Sequence, residues 1–352
     1  MQLKTENIKV NLNQDLKNII NKENQYTIPV FIPHKGCKNE CVFCNQRKIS
    51  GTLKSPTYND VKKIIEERLC DLEKNCKNKK IQIAFFGGSF TGLDIKEQEE
   101  YLKIAYSFIV SNRVESIRLS TRPDYINVKI LKMLKKYGVK SIELGVQSMD
   151  EEVLKKSKRG HTSLDVARAS RLINLFGFSL GHQIMIGLPG STKEKEVFTI
   201  NKLLEFKPKD LRIYPVYVIS PSELYDMYED SRYKPLTIED AVERTCAVMK
   251  ECQKSNVRII RIGLQSTDEI TASNKKILGP VSDNFAEYAI SRIIRDTFDK
   301  IIHDLVEQKK DVGVINLLVD NKYLSMAIGP KRINKIYLND KYKVKINIMS
   351  NK

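Results

Sequence analysis

Three cysteines that directly follow an apolar segment constrain this chain more than any other feature of its sequence. Residues Ile28 to Ile32 are apolar and rich in β-branched side chains, which predicts a buried strand. The polar loop that follows carries Cys37, Cys41 and Cys44 in a C-x3-C-x2-C pattern. Thiolates this close in sequence can converge on one inorganic centre, and they favour zinc, copper(I) or an iron–sulfur cluster.

This cysteine set leaves one coordination position of such a centre open. A structural zinc or a fully ligated cluster takes four protein ligands, and the next cysteine, Cys70, lies in a segment with helical periodicity. An open position is what a catalytic metal centre needs. The alternative is a structural zinc site that is completed by His34 or by a ligand distant in the sequence.

The composition is that of an ordinary globular protein. Hydrophobic residues make up 41% and charged residues 29% of the 352 residues, enough for one large domain or two smaller ones. No apolar run approaches the roughly 18 residues of a membrane helix, and the first residues lack a signal-peptide layout. We therefore expect a cytoplasmic protein without membrane association, in which the seven cysteines favour metal binding over disulfides.

The charge balance is strongly basic. The chain has 60 Lys and Arg against 43 Asp and Glu, a formal net charge of +17, which fits a polyanionic partner such as RNA. Because the basic residues are spread along the chain, a lysine-rich solvated surface is an equal alternative.

Segments with strand and helix periodicity alternate over most of the chain. This order predicts a parallel sheet with right-handed crossovers. Six such units are too few for a closed barrel, so the predicted fold class is α/β: a partial (β/α)6 TIM-like barrel with a small C-terminal α/β cap. We predict a lead-in over 1–27, a core over 28–265 and a cap over 266–352. The predicted strands are Ile28–Ile32, Lys80–Phe90, Ser116–Thr121, Ser141–Val146, Phe178–Ile186 and Asp210–Val218.

The two ends of the chain have weaker patterns. Residues 1–25 are polar and predict a short helix with a lead-in. Residues 284–306 predict a long amphipathic helix, and residues 313–348 predict short strands around one helix. A boundary is predicted near 266–280, where polar residues break the pattern.

Glycines and polar residues end several of the predicted strands. In parallel α/β folds, binding sites form at the carboxyl ends of strands, so these residues are expected to meet at one edge. Gly87 and Gly88 would let a ligand approach the backbone, although a tight turn explains them equally well. Gln147 follows buried apolar residues and is expected to face a hydrogen-bonding partner. Arg122 and Asp124 end the third strand, where a structural ion pair is the alternative.

Three further polar residues lie within or after the predicted strands. Arg159 could pair with a carboxylate. His161 is more simply a loop or capping histidine, and His182 a core histidine.

The cysteine pattern resembles the signature of the radical S-adenosylmethionine superfamily. The segments ELGVQSMDEEVLKKSKRGHT, STRPDY, HQIMIGLPGS and ELYDMYEDSRYKPLTIEDAVE are similar to the catalytic subunit of Elongator, a radical enzyme that acts on the wobble uridine of tRNA. The resemblance extends over residues 28–265.

This resemblance implies a [4Fe-4S] cluster on Cys37, Cys41 and Cys44 whose fourth iron binds the amino and carboxylate groups of S-adenosyl-L-methionine (SAM). It also implies a 5′-deoxyadenosyl radical, an electron donor such as ferredoxin or flavodoxin, and tRNA or another RNA as partner. No catalytic residue is identified. The residues that it implies for cofactor binding are Phe43, Gly87, Gly88, Ser89, Ser120, Gln147, Arg159 and Gln183.

The sequence departs from the Elongator pattern at several places. Gln183 stands where the relatives have aspartate, and the loop between the first two cysteines is shorter. Residues 266–352 contain no acetyl-CoA loop, so acetyl-derived chemistry is not implied. Residues 324–336 resemble the helix–loop–helix of a KH RNA-binding module, with Arg332 replacing the second glycine of GXXG.

Two other functions remain open at this point. One is the same radical chemistry on a small molecule, as in the oxygen-independent coproporphyrinogen oxidases. The other is a zinc-bearing RNA-binding protein without catalytic activity.

Overall fold

A computed structural model describes residues 4–20, 25–32, 36–37, 41–45, 55–75, 80–264, 277–308 and 312–351. Its main element is a seven-stranded sheet in which every neighbouring pair is parallel. Numbered along the chain and given in spatial order, its strands are β2 (Gln25–Ile32), β3 (Lys80–Gly87), β4 (Ser116–Thr121), β5 (Val139–Gln147), β6 (Ser179–Ile186), β7 (Asp210–Pro215) and β9 (Arg258–Ile262).

Helices connect each strand of this sheet to the next. The predicted partial (β/α)6 barrel is confirmed: six strand–helix units are present, and β9 adds a seventh strand that was not predicted. Two arginines, Arg258 and Arg261, lie among the apolar residues of β9. The sequence pattern of this segment therefore did not predict a strand. The connecting helices are α2 (Tyr58–Asn75), α3 (Ile95–Val110), α4 (Val128–Lys136), α5 (Glu151–Lys156), α6 (Ser163–Leu175), α7 (Lys193–Leu204), α8 (Glu223–Glu229) and α9 (Ile238–Cys252).

Short polar side chains fix where these helices begin. The Thr57 hydroxyl oxygen accepts a hydrogen bond from the Asp60 backbone N–H at 3.2 Å, as a helix cap does. Thr162 and Asp165 form a reciprocal capping box at the start of α6. Each capped start sets the length of the loop after a strand, and those loops carry the candidate site.

The two faces of the sheet differ in polarity. In β4 and β5, Ile117 and Ile142 are fully buried on the face that packs against the helices. Their neighbours Arg118 and Glu143 point to the other face, because successive side chains of a strand alternate. The hydrophobic core therefore lies between sheet and helices, and the inner face carries charged side chains together with aromatic and other apolar ones.

The two ends of the chain meet in a separate three-stranded parallel sheet. Its strands are β1 (Lys4–Lys9), β11 (Val312–Val319) and β12 (Lys345–Ser350), with β11 in the centre. The predicted short N-terminal helix is present as α1 (Lys17–Ile20), and the lead-in before it contains the strand β1, which was not predicted. The sequence KTENIK is too polar to indicate a strand, and β11 supplies the pairing that makes it one.

The C-terminal region contains one helix more than predicted. The long helix is confirmed as α10 (Phe285–Gln308), which packs against α9 and also contacts β9. Two helices, α11 (Leu324–Ile328) and α12 (Ile333–Tyr342), lie between β11 and β12. A two-stranded antiparallel pair joins β8 (Val218–Ile219) to β10 (Ile277–Leu278). The domain limits at residues 27 and 265 stay a prediction.

Across the described ranges, no helix combines the length and the apolar character that crossing a bilayer requires.

Asn18 holds the N-terminal segment against the last strand of the main sheet. Its buried amide nitrogen donates to the carbonyl oxygens of Cys252 and Val257, both at 2.7 Å. We predict that Asn18→Ala lowers the free energy of unfolding by about 2 kcal/mol, because it leaves buried carbonyls unpaired. Urea unfolding measures this change. The exposed helical Asn201→Ala is the control, expected within about 0.5 kcal/mol of wild type; equal effects would contradict the prediction.

Candidate functional site

The inner face of the main sheet surrounds a cavity of about 960 Å³. The structure brings the predicted site residues together there, because the carboxyl ends of all seven strands lie on one side. What each residue binds stays a prediction. The predicted residues that line the cavity are Cys37, Cys41, Phe43, Cys44, Gly87, Gly88, Ser89, Ser120, Gln147, Arg159 and Gln183.

Two glycines let the cysteine loop cross the turn after β3 in direct contact. Gly36 has φ of +78°, and a Cβ atom there would collide with the Ser89 carbonyl oxygen. A Cβ atom on Gly92 would collide in turn with the Gly36 carbonyl oxygen. Only residues without side chains permit this crossing, which places Cys37 beside Ser89.

The segment from Cys41 to Cys44 is anchored on the opposite wall. The Val42 N–H donates to the Ser157 carbonyl at 3.3 Å, and the Val42 carbonyl accepts from Leu224 N–H at 2.8 Å. The Val42 side chain is buried in an apolar cluster with Val153, Leu188, Val216, Val218 and Leu224. The last two cysteines are therefore held against the end of α5 (Glu151–Lys156) and the start of α8 (Glu223–Glu229).

Two buried arginines face the cysteine loop. The Arg159 Nη1 donates to the Cys41 sulfur at 3.1 Å, and its Nη2 donates to the Gly145 carbonyl. Desolvation raises the pKa of the Cys37 thiol, while a hydrogen bond with Ser89 and the positive charge of Arg122 oppose that rise. The Ser89 hydroxyl also accepts from the Arg122 backbone N–H at 2.9 Å. Desolvation is the larger effect, so the pKa of the Cys37 thiol lies above its usual value.

The three cysteines line the same cavity without already forming a ligand set. Within the described ranges, no three His, Cys, Asp or Glu side chains are grouped so that they could hold a metal ion. His34, the candidate fourth ligand of a zinc site, lies outside the described residues.

The glycine turn offers fewer free amides than its sequence suggests. The Gly88 N–H donates to the Ile32 carbonyl at 2.9 Å and so continues the pairing of β2 with β3. Gly87 has φ of +104°, a conformation that glycine adopts without strain. A ligand at this turn would therefore meet backbone carbonyl oxygens more readily than the Gly88 amide.

A distortion in β5 turns Gln147 into the cavity. Gln147 has φ of +70°, and the pairing of β5 with β6 shifts register between Gly145 and Gln147. Its side-chain oxygen accepts a hydrogen bond from the Gln183 amide at 3.3 Å. A non-glycine residue in this backbone region is uncommon, and such residues cluster at functional sites.

A network of five charged side chains fills the base of the cavity. Arg118 donates to Glu143 at 2.8 Å and to Asp210 at 2.7 Å. Arg212 donates to the same Glu143 oxygen at 2.8 Å, and Arg258 pairs with Asp210 at 2.7 Å. Burial alone would raise the pKa of Glu143, but the two guanidinium groups hold it below its usual range.

Sequence reasoning missed this network as a unit. Its signal was present, because charged residues occur inside otherwise apolar strands, as in SIRLST and SIELGV. Ser120 belongs to its edge, with its hydroxyl 3.3 Å from a Glu143 oxygen.

Four polar residues that have structural alternatives make contacts within the protein. Arg122 and Asp124 form an ion pair with bonds of 3.0 and 3.1 Å. His161 is buried 3.2 Å from the Val146 carbonyl, and burial with nearby positive charge lowers its pKa to about 3. His182 is fully buried and bonds the Ser170 hydroxyl at 2.9 Å, as a core histidine does.

Two sequence-family models match the chain in tandem. Residues 31–203 match the Radical SAM superfamily, and residues 208–296 match the Radical_SAM C-terminal domain. The tRNA uridine(34) acetyltransferase of Methanocaldococcus jannaschii is 32% identical over 184 residues, covering 47% of this chain and 34% of that protein. Elongator complex protein 3 of Homo sapiens is 27% identical over 190 residues, covering 48% and 35% respectively. The matches thus span about a third of those relatives.

A solved structure has the same fold. The archaeal Methanocaldococcus infernus Elp3 with an N-terminal deletion superposes with a TM-score of 0.60 at 24% identity, over 82% of this chain and 64% of that one.

The glycine crossing can be tested with a matched pair of substitutions. Gly177 has φ of +75°, like Gly36, but an added Cβ there meets no atom within 4 Å. We predict that Gly177→Ala lowers the free energy of unfolding by about 1 kcal/mol from backbone strain. Gly36→Ala should lower it by about 2–4 kcal/mol, because overpacking adds to the same strain. Urea unfolding compares the two variants, and equal losses would show that the loops do not cross in contact.

Proposed function

The chain belongs to the radical S-adenosylmethionine superfamily of enzymes, and from this premise we propose that it cleaves SAM at the described cavity to modify tRNA. One observation carries the proposal. The three cysteines of the superfamily pattern and all eight residues implied for SAM binding line a single cavity, although they come from five strand–loop segments. Its volume, about 960 Å³, lies within the range of sites that enclose a cofactor.

Cys37, Cys41 and Cys44 would hold three irons of a [4Fe-4S] cluster. When bound, such a cluster supplies the electron that cleaves SAM into methionine and a 5′-deoxyadenosyl radical. Arg159 donates a hydrogen bond to the Cys41 sulfur, and the positive charge of Arg122 opposes the desolvation that raises the pKa of Cys37. Binding would have to draw the three sulfurs together, and it would release their protons.

The residues proposed to bind SAM surround the loop that carries the three cysteines. Carbonyl oxygens of the Gly87–Gly88 turn would accept from the methionyl amino group. The Arg159 guanidinium would pair with the carboxylate through its Nε, which has no partner among the described residues, while its Nη atoms contact Cys41 and Gly145. The Gln183 side-chain nitrogen donates a hydrogen bond to Gln147. The Gln183 side-chain oxygen would accept one from a ribose hydroxyl, as an aspartate oxygen would.

The rest of the cavity favours a planar, anionic substrate. Phe86 packs against Phe31, with 6.1 Å between ring centroids, and the Arg212 guanidinium lies 5.1 Å from the Phe86 ring centre. Residues of both edge strands, β2 and β9, line the cavity, but these two strands do not pair with each other. The cavity is therefore open on the side between them. Aromatic rings with arginines suit an unstacked nucleotide, and the net charge of +17 suits the surrounding RNA.

The cofactor part of the proposal is tested under anaerobic conditions. We expect reconstituted protein to carry about four irons with matching sulfide and, after reduction, to release 5′-deoxyadenosine from SAM. Cys44→Ala should lose both properties, because it removes a ligand. The matched control is Cys70→Ala on α2, outside the cavity lining, which should keep both. Iron and sulfide assays with chromatography of the nucleoside give the readouts. One bound zinc and no iron in the wild type would instead support the zinc-binding alternative.

The substrate part is tested on tRNA. We expect total tRNA from cells that lack the gene to lose one modified nucleoside, located by mass spectrometry at uridine 34. Purified unmodified tRNA should also stimulate 5′-deoxyadenosine release above the level seen with SAM alone. Stimulation by coproporphyrinogen but not by tRNA, with unchanged tRNA nucleosides, would overturn the RNA assignment and support the small-molecule alternative.

A further inference from the structure

A second candidate binding surface lies away from the cavity, on the C-terminal three-stranded sheet. The strands β11 and β12 are adjacent and parallel, and the two short helices α11 and α12 connect them. The turn between these helices is Gly329-Pro330-Lys331-Arg332. The SAM site uses none of these residues.

This turn is held in an unusual conformation. Gly329, Lys331 and Arg332 have φ values of +77°, +52° and +60°. A non-glycine residue in this left-handed region costs about 1–2 kcal/mol. Lys331 and Arg332 therefore adopt a backbone conformation that their residue types disfavour. The buried Asn334 fixes the start of α12, donating to the carbonyls of Ser291 and Ala327, both at 2.9 Å.

The outward face of α12 (Ile333–Tyr342) carries three exposed apolar side chains, with the exposed acid Asp340 one turn further along the same side. Ile333, Ile336 and Tyr337 are 39%, 56% and 37% exposed, and their spacing places them on one side of the helix. Asn334 and Leu338 on the opposite side are buried. Tyr337 is backed by Arg295, whose guanidinium carbon lies 4.1 Å from its ring centre.

Positive charge surrounds this apolar strip. Residues 329–345 contain six basic side chains and one acidic side chain, Asp340. Lys331 and Arg332 are exposed, and neither makes an ion pair with any described residue. Lys335 on the next turn contacts the Asn347 side-chain oxygen at 3.4 Å.

We propose that this surface, formed by Lys331, Arg332 and Lys335 with Ile333, Ile336 and Tyr337, binds single-stranded RNA. Its cations would neutralise phosphates, and its apolar side chains would contact unstacked bases. Charge complementarity favours RNA over a protein partner, because Lys331, Arg332 and Lys335 make no ion pair with a described residue, whereas Lys341 beside Tyr337 is paired with Asp299. The proposal rests on the proposed function only in taking tRNA as the RNA that the surface holds.

The test measures binding of fluorescein-labelled poly(U) to the full chain at several salt concentrations. The variant is Lys331→Asn, Arg332→Asn and Lys335→Gln, in which asparagine tolerates the left-handed backbone. We expect it to lose affinity about tenfold or more and to lower the slope of log affinity against log salt by about 2, since three phosphate contacts are removed. A second variant with glycine at 331 and 332 removes two charges without backbone strain and should reduce binding in the same direction.

The matched control removes three charges from an exposed face of α4, as Lys129→Gln, Lys132→Gln and Lys136→Gln. It should keep affinity and salt slope near wild type if location decides binding. An equal loss in both triple variants would mean that net charge alone binds RNA and would overturn the proposal. Unchanged binding in the α12 variants, or wild-type protein without salt-dependent binding, would also overturn the proposal. Either result would favour a protein partner for this surface.

This test is separable from that of the proposed function. Poly(U) binding needs neither cluster nor SAM, so its absence would not affect 5′-deoxyadenosine release. A chain that binds poly(U) through α12 but releases no 5′-deoxyadenosine would keep this inference and lose the proposed function.

Discussion

The charge network at the base of the cavity is the interaction on which the arrangement of the sheet most depends. Arg118, Glu143, Asp210, Arg212 and Arg258 connect β4, β5, β7 and β9 through bonds of 2.7–2.8 Å. Buried charges are tolerated only when each has partners. Removing one member leaves the others without a partner and lowers the free energy of unfolding by about 3–5 kcal/mol. Three cations against two anions leave this base one positive charge in excess, which suits an anionic ligand above it.

The upper part of the cavity is organised by close contact between loops. The close contact of Gly36 with Gly92 brings the cysteine loop onto the turn after β3. Backbone hydrogen bonds of Val42 hold the same loop against Ser157 and Leu224 on the opposite side of the cavity. One loop therefore contacts both sides of the half-barrel. This explains how a short C-x3-C-x2-C segment can face residues from distant parts of the chain, such as Arg159.

The cavity and the α12 surface together suggest how a large substrate would be held. In the proposed function the cavity of about 960 Å³ would take the cofactor and the reacting nucleotide, and the α12 surface would bind more of the RNA strand. The long helix α10 joins the two regions, because it packs against α9, contacts β9 and receives the Asn334 anchor at Ser291. Binding energy gained on the second surface would help to position the reacting nucleotide in the first.

Local patterns in the sequence determined the alternation of strands and helices, the cysteine spacing and the strand-end positions of the candidate site residues, because each depends on neighbours along the chain. Tertiary structure alone decided which charges pair, since Arg118 and Asp210 are 92 residues apart and meet only when β4 and β7 face the same cavity. It likewise decided that β1 is a strand, because its polar sequence gains that conformation from pairing with β11 at the other end of the chain.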